Sequence, residues 1–232
     1  MIGHERIHVA ECESTQLLLK PDAPEGTIAT TDHQTAGRGR LGRRWVEPPG
    51  SSLLLSVLLR PPDASRPQEL SLVAAVATAQ AVEAATALPA QIKWPNDVLL
   101  AGTKVAGILA ELRAGAVVLG IGVNVNQTEA QLPLDTRTAA GSLRTATGRQ
   151  HDREQLLRDL LGRLAAAYEG WREQGLAAVH AELAARDLLR GKSVVAGGKA
   201  GRAAGIDTSG RLMLETDSGA TVVESGEILL EP

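Results

Sequence analysis

At 232 residues with 44 % hydrophobic side chains, the chain can form one sizeable core plus a small appendage. It has no Phe, one Tyr and three Trp, and a formal net charge of −3, which leaves little to stack single-stranded bases and no overall attraction to nucleic acid. A single cysteine (Cys12), five histidines without zinc-ligand spacing, a charged N-terminus and no apolar run of membrane-spanning length argue against disulfides, a zinc site, a secretion signal and a spanning helix. The expectation is a cytoplasmic, reduced protein with no membrane association.

A short strand is predicted at Ile7–Ala10. Ser14 or Thr15 then caps a short helix through Leu17–Lys20, stopped by Pro21. Gly26–Asp32 reads as a strand, and the arginine-rich stretch from Gln34 to Trp45 follows it. Ser51–Arg60 is a nearly unbroken apolar run, suited to a strand buried on both faces. Ser65-x-x-Gln68 forms a capping box, with Pro67 in the first turn, for a long buried helix.

Between Gln91 and Asn126, strand-like segments alternate with short turns, which predicts a mixed, largely antiparallel sheet. Gln127–Gln150 is polar and threonine-rich and reads as a long surface loop. Asp152-x-x-Gln155 opens a helix whose Leu157, Leu160, Leu161, Leu164, Tyr168 and Trp171 share one face. A second short helix covers Leu176–Ala185. After Arg190, short valine- and leucine-bearing runs broken by Ser209-Gly210 and Ser218-Gly219 predict a small barrel of about five strands. The expected class is α+β, with a catalytic domain at 1–187 and the barrel at 188–232.

Four segments carry candidate chemistry. In Gln34–Trp45, Gly37, Gly39 and Gly42 alternate with Arg38, Arg40 and Arg43. Such a loop repels itself open unless an anion orders it, though a solvated surface loop is the plain alternative. It matches neither a P-loop nor a dinucleotide fingerprint. Lys93-Trp94-Pro95-Asn96-Asp97 places a lysine near an aspartate around a turn. Lys104 opens a strand in which strict alternation puts it on the same side as Ala106 and Ile108, with Gly107 allowing close backbone approach. Gly120-x-Gly122-x-Asn124-x-Asn126 thins and ends another strand. Nineteen of 24 basic residues are arginine, so Lys93 and Lys104 stand out where arginine would serve as a mere surface charge.

In this order the segments closely resemble the biotin protein ligases. The match begins with Glu13-Ser14-Thr15-Gln16 and runs through Gln34-x-x-Gly37-Arg38-Gly39-Arg40-x-Gly42-Arg43-x-Trp45. It continues through Lys93–Asp97, Lys104-x-Ala106-Gly107-Ile108-Leu109-x-Glu111 and Gly120-x-Gly122-x-Asn124-x-Asn126. Gly205-Ile206-Asp207-x-x-Gly210-x-Leu212 and Gly226-Glu227-Ile228 resemble that family's terminal barrel.

The resemblance implies a synthetase-like α+β catalytic domain followed by an SH3-like barrel. It implies attack of the biotin carboxylate on the α-phosphate of ATP, with Mg²⁺, and then transfer to a lysine of a biotin carboxyl carrier protein. Lys104, Arg40, Lys93 and Asp97 are the implied catalytic set, with Asp97 toward the metal. Ser14, Thr15, Gln16, Gln34, Gly37, Arg38, Gly39, Arg40, Lys104 and Gly107 are implied for biotin. Arg38, Arg40, Trp45, Lys93, Asn96 and Asn124 are implied for ATP.

The chain departs from that pattern at Gln16, where many relatives carry Asn, and at Leu41, where many carry Arg. The ligase pattern begins at about Ile7, so no operator-binding domain and no DNA partner are expected. Monomer and homodimer both remain open. The alternatives are a lipoate or octanoate ligase or transferase, whose loop is of the RxxGGG type, and a non-enzymatic module that binds anions or nucleic acid through the arginine loop.

Overall fold

The computed structural model describes residues 2–64, 66–134 and 136–230. Its first elements are β1 (Arg6–Cys12), α1 (Thr15–Leu18), β2 (Ile28–Gln34), β3 (Gly37–Arg38), β4 (Arg44–Trp45) and β5 (Ser52–Leu59). Then come α2 (Pro67–Thr86), β6 (Ala90–Lys93), β7 (Asp97–Leu100), β8 (Thr103–Arg113) and β9 (Ala116–Asn124). The chain continues through α3 (Leu143–Thr147), α4 (Arg153–Gln174) and α5 (Ala177–Ala185). It ends in β10 (Ser193–Ala196), β11 (Lys199–Ile206), β12 (Leu212–Thr216), β13 (Gly219–Val223) and β14 (Ile228–Leu230).

The apolar run at β5 is buried along its whole length because it lies inside a seven-stranded sheet of order β1-β2-β5-β9-β8-β7-β6. Only β1 and β2 pair in parallel; the other neighbours are antiparallel, so the sheet is mixed and largely antiparallel as expected. α2 is apolar almost all round because it packs between this sheet and α4. On α4, Leu157, Leu160, Leu164, Tyr168 and Trp171 are buried, as the 3.6 period requires. The Trp171 indole donates to buried Glu69 on α2 at 2.8 Å, which satisfies both polar groups inside the layer. No helix among the described residues is long and apolar enough to cross a membrane.

Three expectations need correction or delimitation. Ser65 of the anticipated capping box lies outside the described residues, while Pro67 does open α2. Gln127–Gln150 is not a plain loop: it holds a 3-10 turn at Glu129–Gln131 and the helix α3, capped by Ser142, whose hydroxyl accepts from Thr145 N. Its threonines serve as caps and turn donors, which polarity alone does not reveal.

The third correction concerns β8. Leu99 pairs with Lys104, but Val98 pairs with Ala106, so Val105 is an extra residue. This bulge reverses the alternation. Ala106 and Ile108 enter the core, and Lys104 shares a side with Gly107 instead.

The C-terminal residues form a five-stranded antiparallel sheet of order β13-β12-β11-β10-β14, the architecture of a small SH3-like barrel. A unit this size buries too little apolar surface to stand alone, and it docks. Gly210, at φ +78°, offers its carbonyl to the Trp94 indole at 2.8 Å, and a ring nitrogen of His180 lies 2.8 Å from the Ile206 carbonyl.

Candidate functional site

The arginine-rich stretch folds as a β3–β4 hairpin around a 3-10 turn at Arg40–Gly42, with Leu41 at φ 57°. The hairpin carries Trp45 onto the sheet, where glycines make room. A Cβ at Gly122 would lie 2.8 Å from Trp45 Cε2, and one at Gly107 would lie 3.1 Å from Trp45 Cζ3. At Gly120 it would meet the Gln16 amide nitrogen at 2.9 Å. Real Cβ atoms essentially never approach as closely as the one at Gly122 would, so that glycine is a steric requirement of the floor, while a Cβ at Gly107 would crowd the ring and one at Gly120 would displace the end of the Gln16 side chain.

Above this floor is a cavity of about 500 Å³. Ser14, Thr15, Gln16, Gln34, Arg38, Gly39, Arg40, Trp45, Lys93, Asn96, Asp97, Lys104, Gly107 and Asn124 all line it. Gly37 is the exception among the anticipated residues. It pairs with Trp45 across the hairpin, where a Cβ would strike the Trp45 carbonyl at 2.5 Å. Its part is to let the hairpin close.

Two polar groups of side chains meet in the cavity. In the first, Gln34 Oε1 accepts from Thr15 N at 2.9 Å, and the hydroxyls of Thr15 and Ser56 lie 2.7 Å apart. Gln16 donates to the Leu109 carbonyl at 3.1 Å, while its own buried carbonyl oxygen has no partner among the described residues. That arrangement presents fixed hydrogen-bonding groups in a cavity also lined by Leu55, Ile108 and Ile121, which suits a small polar ring.

The second group is cationic. Lys104 Nζ lies 2.7 Å from Asp97 Oδ1 and 5.9 Å from the centre of the Trp45 ring. Lys93 donates to Thr138 Oγ1 at 2.9 Å, and Arg40 donates to Asn96 Oδ1 at 3.3 Å. Burial lowers the pKa of Arg40, with Asp97 opposing it. Burial likewise lowers the pKa of Lys93; Asp97 opposes this, while Lys104 and Arg137 add to it. Mutually repelling, partly desolvated cations favour binding of an anion.

Asn124 lies at the wall with its amide already engaged: it donates to the Gly141 carbonyl at 2.9 Å and accepts from Gln127 at 2.9 Å. Asp97 is one carboxylate facing one lysine, and no cluster of three or more His, Cys, Asp or Glu occurs among the described residues. Such a donor set suits a metal that arrives on phosphate oxygens and keeps most of its waters, as Mg²⁺ does.

Several lining residues escaped the sequence reading. Arg137 and Thr138 come from the segment read as a surface loop, and Glu227 comes from the barrel. Glu227 pairs with both Arg43 and Arg137, so a barrel side chain bridges the two segments flanking the cavity. The Gly226-Glu227-Ile228 motif was legible, but not its place 130 residues from Asp97 in the chain.

Comparison with known proteins gives a consistent picture. A family model described as the biotin/lipoate A/B protein ligase family matches residues 9–127, and one for the biotin protein ligase C-terminal domain matches 193–230. The bifunctional ligase/repressor BirA of Bacillus spizizenii is 37 % identical over 99 % of this chain and 75 % of its own length. The biotin–[acetyl-CoA-carboxylase] ligase of Paracoccus denitrificans is 37 % identical over 95 % of this chain and 98 % of its own. Among solved structures, the Aquifex aeolicus biotin protein ligase in complex with biotin and ATP superposes with a TM-score of 0.89, at 33 % identity, over 98 % of this chain and 99 % of that one.

Proposed function

This chain belongs to the biotin/lipoate A/B protein ligase family and, within it, to the biotin protein ligases; from that premise we propose how its residues carry the reaction. Biotin is joined to ATP as biotinyl-5′-AMP, and the biotinyl group then passes to a lysine of a carboxylase's biotin carboxyl carrier domain. The observation that carries this reading is the meeting of the Thr15–Gln34 network and the Lys93–Asp97–Lys104 cluster in one cavity. Residues 1–187 form the catalytic unit and 188–232 the barrel, and the reaction belongs in the cytoplasm, where ATP is supplied.

In the first step a biotin carboxylate oxygen forms a bond to the α-phosphorus, and the bond from that phosphorus to the β-bridging oxygen breaks, releasing pyrophosphate. Two anions must approach, so cations in fixed positions lower the barrier by stabilising charge where it concentrates. Lys104 bridges the carboxylate and the α-phosphate, while Arg38, Arg40 and Lys93 hold phosphate oxygens. Ser14, Thr15, Gln16 and Gln34 hold the ureido ring, while Trp45, which the resemblance assigns to ATP, lies over Gly107 and Gly122 and so borders both the nucleotide and the biotin. Asn96 and Asn124 shape the nucleotide side; Asn124 acts from the wall, because its amide is already engaged by Gly141 and Gln127.

Asp97 would hold Mg²⁺, which when bound neutralises triphosphate charge. In the second step the carrier's lysine amine attacks the biotinyl carbonyl carbon, the bond to the phosphate oxygen breaks and AMP leaves. The hairpin keeps water from the mixed anhydride between the two steps.

The test is ATP–pyrophosphate exchange by the purified chain with Mg²⁺, comparing biotin with lipoate and octanoate. Exchange that depends on biotin is the expected result. Exchange with lipoate alone would reassign the pocket, and none with any acid would remove the acid-activation step.

A further inference from the structure

The neck of the hairpin holds a carboxylate that the reaction does not use. Glu47, two residues after Trp45, has no side-chain exposure, at 0 %. One of its oxygens accepts from Gln34 N at 2.9 Å and lies 3.5 Å from His33 Nδ1. Its other oxygen is buried with no hydrogen-bond partner among the described residues.

A carboxylate in that state is expensive, because burial removes its hydration and only strong partners replace it. Burial accordingly pushes its pKa up, while the Gln34 N–H and His33 pull it back. Cys12 on β1, in register with Gln34, also senses its charge. No lysine or arginine compensates it through an ion pair among those described. A neck needing only to close could be filled by an apolar side chain of similar size.

What the carboxylate does touch is the backbone of Gln34. The side chain of Gln34 in turn accepts from Thr15 N at 2.9 Å and from Thr15 Oγ1 at 3.3 Å. Glu47 is thus one hydrogen bond from the Gln34–Thr15 pair that faces the cavity, and it lies outside the cavity wall itself.

We propose that Glu47 is a positioning residue for biotin recognition: by accepting from Gln34 N it fixes the strand end that presents the Gln34–Thr15 pair to the ring. This rests on the biotin-ligase reading and goes one residue beyond it. The acceptor oxygen, rather than the filled volume, is what binding needs.

The experiment is calorimetric titration of biotin, without nucleotide, into the full chain and its Glu47→Met, Glu47→Ala and Glu47→Gln variants. KM values for ATP and biotin and kcat in the exchange assay accompany it. Glu47→Met keeps the volume and removes the buried charge, so it should fold, yet bind biotin about 10-fold more weakly, the worth of one charge-assisted hydrogen bond. Glu47→Ala should do the same. Glu47→Gln, whose amide oxygen still accepts, should stay within about 3-fold of wild type. The KM for ATP and kcat at saturating biotin should not move.

Glu47→Met with wild-type biotin affinity would overturn the proposal, as would a KM for ATP that rises in step with that for biotin. Failure of both apolar variants to fold would also overturn it, by making Glu47 a folding residue. A wild-type chain that gives no biotin isotherm would instead sink the ligase reading.

Discussion

Lys104 has two partners inside the protein, Asp97 at 2.7 Å and the Trp45 ring at 5.9 Å, so its ammonium is held in place rather than swinging in solvent. Lys104→Met should therefore lower biotin-dependent exchange by about 10²- to 10³-fold, the usual loss of one stabilising donor at a developing charge. Circular dichroism would check the fold, and activity within tenfold of wild type would remove Lys104 from the bridging role. Glu47 carries a separate prediction for stability. Its pKa is raised in the folded chain, so the folded state binds the proton more tightly than the unfolded one. Its stabilising contribution is full below the ordinary carboxylate pKa and is lost as pH rises through the folded value. Glu47→Gln should then melt above wild type at pH 8, with the gap closing as pH falls toward 4. At this scale the sequence was informative about charged side chains inside motifs and silent about Glu47, because a single glutamate beside two prolines reads as surface.

The bulge at Val105 shows what alternation cannot supply. Period-two reading put Lys104 with Ala106 and Ile108, and one extra residue moved it to the Gly107 side. No local residue type announces that insertion; it shows only in the pairing of β8 with β7, where Val105 has no partner between Lys104 and Ala106. The glycines of the floor were legible as thin positions, while the indole lying on them was not, since contact between Trp45 and Gly122 spans 77 positions. Gly122→Ala should test that contact. Its Cβ would sit 2.8 Å from Trp45 Cε2, inside any permitted separation, so the ring must shift. The expected outcome is a rise in KM for biotin, with a stability loss of about 1–3 kcal/mol from overpacking, read by chemical denaturation. An unchanged KM would mean that Trp45 is not a wall of the biotin pocket.

Over the whole molecule, the barrel was legible from its turn spacing, but its attachment was not. Trp94 is buried at 2 % exposure and gives its indole proton to Gly210, which ties the turn bearing Asn96 and Asp97 to β-structure more than 100 residues later. Trp94→Phe should cost about 1–2 kcal/mol by leaving that carbonyl unsatisfied, and should lower the melting temperature without splitting the transition. Two separate transitions would mean that the barrel is only loosely attached. The Glu227 bridge to Arg43 and Arg137 has a thermodynamic corollary. If docking of the barrel raises ligand affinity by some factor, ligand must strengthen docking by that same factor, since coupling between two equilibria is reciprocal. Saturating biotin and ATP should therefore slow amide hydrogen exchange at Leu229 and Leu230 and their partners Val195 and Val194, none of which lines the cavity, and the size of that slowing measures how much of the binding energy the barrel holds.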